Sequence, residues 1–360
     1  LLRDSLINEI APGYTNPAEV AMPVAGGSSF QAGQSGTALD VDRAVTLIRD
    51  AFMNPANRTV NLTYSKVDPT RPSFPNLQIM MQQVLATNDF KGLAEIYLLD
   101  VQTGQEINFA FNEGSIIAPG ISFTGASVIK IPILVSAFKK LPEPTDPQAA
   151  QLMESMIELS ENAHTDQLMS RFIDRNLAPL VVTEDMKSIG LNNTFLAGFF
   201  APGSVLLQDF QTQANQRTDI STDPDRYNQT TPADMGQLLN DIYQCATFGG
   251  GTLVAAFPGE ITQSECRLMI SYLSKNKIAA LTEAGVPDGT QVAHKHGWTY
   301  DPRDGLMHSI ADAAIVYTPG GNFIFVIYLY DKDQLVYDPN NKLVALIAQS
   351  IYNYYNLPGN

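Results

Sequence analysis

Apolar residues first recur at helical spacing between residues 41 and 52, on a face formed by Val41, Ala44, Val45, Ile48 and Phe52. Asp40 or Asp42 can cap the start of this predicted helix. The next segment, residues 58–64, alternates apolar and polar side chains and predicts a strand. Prolines from Pro69 to Pro75 then interrupt the pattern, so we place a domain boundary there, between residues 75 and 76.

The remainder of the chain has strands at both ends and helices between them. Residues 94–100 and 106–112 predict two strands of a hairpin, and residues 311–317 and 323–330 predict two more. The stretch from about 127 to 276 is mostly helical in pattern, and a last helix is predicted over 340–355. This order predicts an α+β fold, an antiparallel sheet with a helical insertion.

Composition narrows the choice of function classes. The 360 residues carry a formal charge of −15 without any run of Lys or Arg, so we expect no nucleic-acid partner. No apolar stretch has the roughly 18 to 20 residues that a membrane span needs. Because the chain begins at Leu1 rather than Met, we expect that a signal region has been removed from it.

The first candidate for chemistry is Ser127, which precedes Lys130 by three positions at the start of an apolar helical run. Residues three apart on a helix share a face, so the lysine amine can reach the serine hydroxyl and act as its base. Alone this pattern is weak, because chance supplies on the order of one Ser-x-x-Lys in such a chain. A second copy occurs at residues 274–277.

Two further motifs strengthen the assignment of Ser127. Ser160-Glu161-Asn162 follows a predicted helix, and Lys295-His296-Gly297 lies in a segment with a strand pattern. The order Ser-x-x-Lys, Ser-x-Asn, Lys-x-Gly is the signature of penicillin-recognising serine enzymes. The copy at 274–277 has no separate Ser-x-Asn between it and the Lys-x-Gly motif, so we favour Ser127.

From about residue 77 to the end, the chain resembles the class A β-lactamase family, most closely in residues 125–132, 230–235 and 292–298. The resemblance implies an antiparallel sheet flanked by helices plus an all-helical subdomain. We therefore predict an N-terminal extension over 1–75 and a catalytic domain over 76–360. Within the catalytic domain, the α/β part would comprise residues 76–134 and 277–360, and the helical part residues 135–276.

The resemblance also implies a catalytic role for several residues. Ser127 would attack a β-lactam or acyl-D-Ala carbonyl, with Lys130 accepting its proton. Ser160 would pass a proton to the leaving nitrogen. The backbone N–H groups of Ser127 and Trp298 would form the oxyanion hole.

Substrate binding would fall to a second group of residues in the same resemblance. Asn162 would hold the substrate's side-chain amide, and Gly297 would lie beside the substrate. Lys295 would supply positive potential for a substrate carboxylate. His296 stands where the family has Thr or Ser; it either donates a hydrogen bond to that carboxylate or only fills space on the strand. No cofactor and no metal ion is expected.

The sequence departs from the family in its omega loop, expected between about residues 191 and 230. Class A enzymes carry there a glutamate that activates the deacylating water, but residues 185–259 contain no glutamate. The aspartates of the loop either replace this base or cap turns; they are Asp209, Asp219, Asp223 and Asp225. Acylation would then proceed while hydrolysis of the acyl-enzyme would be slow.

The two cysteines, Cys245 and Cys266, flank Gly249-Gly250-Gly251. Because the family works outside the cytoplasm, we predict that they form a disulfide and that the chain is secreted, periplasmic or cell-surface bound. Such a bridge would contribute roughly 3 kcal/mol in the chain-entropy model.

The N-terminal piece leaves the function partly open. Residues 40–48 and 58–62 faintly resemble a peptidoglycan-binding module found in vancomycin-resistance-associated surface proteins; otherwise they form a plain extension. Three functions remain: a slow β-lactamase, a peptidoglycan D,D-peptidase or related amidase or esterase, and a non-catalytic wall-binding protein. The complete set of Ser127, Lys130, Ser160 and Lys295 argues against the third.

Overall fold

The computed structural model describes residues 1–24, 26–276, 278 and 280–357. Lys277, which ends the second Ser-x-x-Lys copy, and the predicted boundaries at 277 and 360 lie outside these residues. The chain divides into two compact units, one of Leu1–Met80 with Ser350–Asn360 and one of Met81–Gln349.

The first unit contains short helices, two small strand pairs and one longer helix. Its helices are α1 (Leu2–Ser5) and α2 (Val41–Met53), with single turns at Leu6–Ile10 and Ala11–Gly13. Its strands are β1 (Met22–Pro23), β2 (Phe30–Gln31), β3 (Gly36–Leu39) and β4 (Tyr64–Val67), paired antiparallel as β1–β2 and β3–β4. Helix α3 (Phe74–Thr87) begins here and continues into the second unit.

Helix α2 follows the predicted pattern. The Asp40 side chain caps it by accepting a hydrogen bond from the Arg43 backbone N–H at 3.0 Å, which leaves one fewer unpaired donor at the helix start. Its apolar face packs on a small core of Leu6, Leu39 and Ala44. The first unit therefore has a core of its own.

The strand predicted over residues 58–64 is wrong, because the strand begins only at Tyr64. The side chains of Asn54 and Asn57 accept hydrogen bonds from backbone N–H groups two residues ahead, at 2.9 and 3.0 Å. These local turns compete with extended pairing at the start of the segment. Leu62 packs on the small core without belonging to a strand.

The second unit is organised around a six-stranded antiparallel sheet. Its strands are β5 (Leu93–Asp100), β6 (Glu106–Asn112), β7 (Ser115–Ile117), β11 (Gln291–Tyr300), β12 (Met307–Tyr317) and β13 (Phe323–Tyr330). Their order in the sheet is β11-β12-β13-β5-β6-β7. The predicted β5–β6 hairpin is confirmed; Asp100 Oδ1 accepts from Gln102 and Thr103, and Gly104 adopts φ +73° in the turn. Strand β11 lies at one edge of the sheet.

A smaller sheet orders the strands β8 (Phe123–Thr124), β10 (Asn228–Thr230) and β9 (Phe195–Leu196) as β8-β10-β9. The helices of the unit are α4 (Lys130–Lys140), α5 (Pro147–Glu158), α6 (Asn162–Leu168), α7 (Ala178–Ser188), α8 (Pro232–Phe248), α9 (Thr252–Ala256) and α10 (Gln263–Leu273). Helix α11 (Tyr337–Tyr355) starts in this unit and ends in the first. None of the helices among the described residues is long and apolar enough to cross a membrane.

The main core lies where helices pack on the sheet and on one another. Helix α4 is buried from Lys130 to Phe138, as expected of a helix apolar on every side. Helix α8 packs on β5, and a Cβ on Gly236 would lie 2.1 Å from the Tyr97 ring, so glycine permits this approach. Cys245 of α8 and Cys266 of α10 form a disulfide, with their Cα atoms 5.9 Å apart. The α+β prediction is confirmed.

Candidate active site

Ser127 lies in a single 3-10 turn, Ala126–Ile129, that leads directly into α4. Ala126 before it has φ +48°, a left-handed conformation that costs a non-glycine residue energy and often occurs at functional sites. Because the turn continues into the helix, the side chains three apart face one another. Lys130 Nζ donates a hydrogen bond to Ser127 Oγ at 3.2 Å.

The Lys130 amine is surrounded by oxygen atoms of the Ser160-Glu161-Asn162 segment. Its Nζ donates to the Ser160 carbonyl at 2.6 Å, to Ser160 Oγ at 3.2 Å and to Asn162 Oδ1 at 2.7 Å. The residue is fully buried. Burial lowers the pKa of Lys130 to about 7, although the nearby carboxylates of Glu161 and Asp166 oppose that shift. A substantial fraction of this amine is therefore neutral near pH 7 and can accept a proton.

Ser160 connects the two lysines of the site. It lies between α5 and α6 with φ +56°, a second strained position. Its hydroxyl accepts from Lys295 Nζ at 3.0 Å as well as from Lys130. A hydroxyl held between two amines can give up its own proton and be reprotonated from either one.

Lys295 reaches this hydroxyl from the edge strand β11. It is fully buried, and its Nζ also donates to the His296 carbonyl at 3.0 Å. Burial, reinforced by the nearby charge of Lys130, pulls the pKa of Lys295 well below its usual value, while Asp312 acts in the opposite direction.

Gly297 brings β11 against the turn that carries Ser127. A Cβ at this position would lie 2.8 Å from the Ser127 backbone nitrogen and 3.0 Å from Ala126 Cβ. Any side chain would therefore push the strand away from the nucleophile. Glycine here is a requirement of close approach rather than of a turn.

The opposite face of β11 carries His294 and His296, because successive strand residues alternate between faces. The Asn276 amide nitrogen lies 2.9 Å from His294 Nε2 and 3.0 Å from His296 Nδ1. His294 Nδ1 in turn contacts the buried Asp312 carboxylate at 2.9 Å. These contacts hold the strand on both sides of Lys295.

His296 itself is only 2% exposed, and its ring stacks on Trp298 with centroids 5.0 Å apart. Burial, together with the charge of Lys295, lowers the pKa of His296 to about 3. The ring is thus neutral from pH 5.5 to 8, which favours the space-filling role over binding of a carboxylate by an imidazolium.

The four loop aspartates form ion pairs or hydrogen bonds with residues other than Ser127. Asp209 pairs with Arg226, Asp219 with Arg217 and Asp223 with Arg303. Asp225 accepts hydrogen bonds from the Tyr227 backbone N–H and from Asn228 Nδ2. Among the described residues, none of the four has a hydrogen bond or ion pair with Ser127 or Lys130.

An aromatic ring lies where the loop approaches Lys130. The centroid of the Phe200 ring is 5.3 Å from Lys130 Nζ. The loop is attached at this point to α6, because Asp166 accepts hydrogen bonds from the backbone N–H groups of Phe200 at 2.9 Å and Ala201 at 2.8 Å. Sequence reasoning missed both residues. Asp166 follows Asn162 by four positions, so its place on the site-facing side of the helix was a usable signal.

Known structures share this fold. The protein PBP-A is 20% identical, with a TM-score of 0.54 over 80% of this chain and 99% of PBP-A. The TLA-1 extended-spectrum β-lactamase is 16% identical, with a TM-score of 0.56 over 79% and 99% of the two chains. A β-lactamase from Xanthomonas campestris is 15% identical, with a TM-score of 0.54 over 77% and 96%. These likenesses establish the class A β-lactamase-like fold.

Sequence comparison supplies the family. No curated protein sequence matches the chain. The family model described as Beta-lactamase enzyme family matches residues 138–355, a segment that includes Ser160 and Lys295 and begins shortly after Lys130. The chain belongs to the β-lactamase enzyme family.

Proposed function

We propose that this protein is a serine acyl-enzyme hydrolase that acts on β-lactams and releases the acyl group slowly. The observation that carries the proposal is the hydrogen bond between Lys130 Nζ and Ser127 Oγ, in a buried site that also contains Ser160 and Lys295. A serine hydroxyl becomes an effective nucleophile when an adjacent base removes its proton.

Acylation uses the neutral form of Lys130. As Ser127 Oγ bonds to the lactam carbonyl carbon, its proton passes to Lys130 Nζ. The C–N bond of the lactam then breaks, and the departing nitrogen takes the proton of Ser160 Oγ. Ser160 regains a proton from one of the two lysine amines that already donate to it.

The oxyanion of the tetrahedral intermediate would be stabilised by the backbone N–H groups of Ser127 and Trp298. The close approach of Gly297 to the Ser127 nitrogen supports this assignment, because it brings the two backbone segments together. Strand β11 is also an edge strand, so on one side its backbone groups have no strand partner within the described residues.

Asn162 and Lys295 are the proposed contacts for the rest of the substrate. Asn162 uses its Oδ1 atom to accept from Lys130, which leaves its amide N–H groups available to a substrate carbonyl. Lys295 is the proposed hydrogen-bond donor to a substrate carboxylate next to Ser160. Burial lowers its pKa, and a bound carboxylate would favour its positively charged form.

Slow deacylation is supported by the side chains near Lys130 in the loop 197–227, which connects β9 to β10. Its Phe200 ring cannot activate a water molecule. Asp166 interacts electrostatically with Lys130, but both of its carboxylate oxygens accept backbone hydrogen bonds from the loop. The acyl-enzyme would therefore accumulate.

The same observation favours a second candidate, a peptidoglycan D,D-peptidase or related amidase or esterase that uses the same Ser127. Such an enzyme would share the acylation machinery and differ in the acyl donor. Either activity would operate outside the cytoplasm, where a disulfide such as Cys245–Cys266 persists. A role of residues 1–75 in binding peptidoglycan remains part of this proposal.

Intact-protein mass after mixing with benzylpenicillin tests the proposal, with Ser127→Ala as the control. We expect a long-lived adduct on the native protein and none on the control. Drug consumption without an adduct would instead indicate a fast β-lactamase with another base. If no adduct forms and no drug is consumed, the proposed activity on β-lactams is contradicted.

A further inference from the structure

A pocket of about 580 Å³ opens beside the end of β11 in the second unit. Thr299 on its wall directly follows Trp298, and Thr124 on its wall precedes Ser127 by three residues. The loop residues 222–225 and the β11–β12 turn at 300–304 line other parts of it. The pocket therefore shares strand β11 with the site and touches the end of β8, which leads into the Ser127 turn, but none of the catalytic side chains lines it.

Strand β11 gives the direction from the catalytic residues to this pocket. Lys295 contacts Ser160, Gly297 approaches the Ser127 nitrogen, and Thr299 reaches the pocket wall. In the proposed reaction the leaving nitrogen lies beside Ser160. The acyl group kept on Ser127 lies on the other side of the broken C–N bond from the leaving nitrogen, and along β11 the direction away from Ser160 leads towards the pocket.

The pocket is acidic. Its wall carries four carboxylates, of Asp223, Asp225, Asp301 and Asp304, against the cations Arg303 and Lys332. Both cations are engaged: Arg303 pairs with Asp301 and Asp223, and Lys332 pairs with Asp333. His308 hydrogen-bonds to Asp304 at 3.0 Å.

Asp225 differs from the other three carboxylates in its partners. It accepts hydrogen bonds only from neutral donors, the Tyr227 backbone N–H at 2.9 Å and Asn228 Nδ2 at 3.0 Å. No cation among the described residues lies within ion-pair distance of it. Its own backbone N–H donates to Thr124 Oγ1 at 2.8 Å, which ties it to the strand that leads to Ser127.

Ser309 is a second polar group on the pocket wall. Ser309 is only 6% exposed, yet its hydroxyl has no hydrogen bond with any described residue. A hydroxyl on the wall of an open pocket can accept a hydrogen bond from a ligand. Because an ammonium group has three donors and no acceptor, a carboxylate and a hydroxyl on one wall can both accept from it.

We propose that this pocket binds the side chain of the acyl group and selects acyl donors that end in an ammonium group, with Asp225 as the specificity-determining residue. The inference rests on the proposed acylation of Ser127 and adds the substrate class. It predicts a preference that depends on charge and not on the size of the side chain.

Two penicillins of equal chain length test the preference, one with a 6-aminohexanoyl side chain and one with a heptanoyl side chain. We expect the ammonium compound to acylate the native protein about fivefold faster at low salt, as for a partly exposed ion pair. The ratio of the two rates should fall towards one in Asp225→Asn and at about 0.5 M salt. Asp209→Asn, on the same loop but away from the pocket wall, should keep the native ratio.

Equal rates for the two penicillins on the native protein, or an unchanged ratio in Asp225→Asn, would overturn the subsite while leaving the acylation of Ser127 intact. If neither compound forms an adduct, the proposed function fails, and the subsite is decided by NMR titration instead. Nα-acetyl-lysine should then shift the amide signals of Asp225 and Ser309, and Nα-acetylnorleucine should not. No shift, or the same shift with both, would overturn the subsite.

Discussion

On one side of Lys130, four oxygen atoms lie within hydrogen-bond distance of its amine: three of the Ser160–Asn162 segment and Ser127 Oγ. On another side, the loop 197–227 presents the ring of Phe200. The first region can move protons among hydroxyl and amine groups, whereas the ring of Phe200 has no group that accepts a proton. This difference separates the two halves of an acyl-enzyme cycle, because forming the ester needs the polar region and breaking it needs a water molecule with a base.

The largest effect should come from removing the base of the polar region. Lys130→Met keeps an unbranched side chain, one atom shorter and without the amine, and we expect the rate of adduct formation with benzylpenicillin to fall by about 10³-fold. Lys140→Met, at the exposed end of the same helix, is the matched control and should label at the native rate. Near-native labelling of Lys130→Met would show that another group takes the Ser127 proton.

The second largest effect should be the change of the labelling rate with pH. Lys130 accepts a proton only when it is neutral, and burial lowers its pKa to about 7. At the pKa half of the amine is neutral, and each pH unit below it removes about tenfold of the neutral form. The labelling rate should therefore rise about 50-fold from pH 5 to 7 and about twofold more above pH 7, where it levels off. His296, with its pKa lowered to about 3, stays neutral throughout and adds no falling limb. A rate that falls from pH 5.5 to 8 would instead support carboxylate binding by a protonated His296.

The polar region was largely predictable from sequence, and the apolar one was not. Ser127, Lys130, Ser160 and Lys295 stand in short motifs of fixed spacing and order, and the fold brings all four together. Phe200 belongs to a loop without periodic pattern, and its position depends on the backbone hydrogen bonds that Asp166 accepts. For this loop the sequence showed only that it contains no glutamate.

The same contrast between local pattern and long-range packing explains which strands and contacts could be predicted from the sequence. The strands at 94–100, 106–112 and 323–330 were predictable because each is bounded by turn residues and rich in apolar side chains. The segment 58–64 alternates apolar and polar side chains like a strand, but asparagine side chains hold the backbone near its start in turns. The pairing of His294 with Asp312 depends on the register of β11 against β12, which no single-segment pattern contains.

A carboxylate placed in the apolar region should sharpen the contrast between the two regions. In Phe200→Glu the new side chain lies near Lys130, where it can activate a water molecule for attack on the ester. We expect the benzylpenicillin adduct to disappear about tenfold faster, followed by intact mass after removal of free drug. Phe200→Gln has nearly the same shape as the glutamate without its charge. An equal gain in that variant would mean that removing the ring, rather than adding a base, admits the water.

The smallest effect should come from loosening the attachment of the loop while keeping Phe200. Asp166→Asn retains one oxygen acceptor and loses the other, so one of the two backbone N–H groups at Phe200 and Ala201 loses its partner. The weakened attachment lets the ring move from Lys130 part of the time, and we expect the adduct lifetime to shorten about threefold, equivalent to a fraction of one hydrogen bond. Asp174→Asn is the matched control, because Asp174 also accepts two backbone hydrogen bonds, from Asn176 and Leu177, far from this loop in sequence. An equal shortening in both variants would show a general loss of stability; a change only in Asp166→Asn would show that the loop attachment keeps water from the ester.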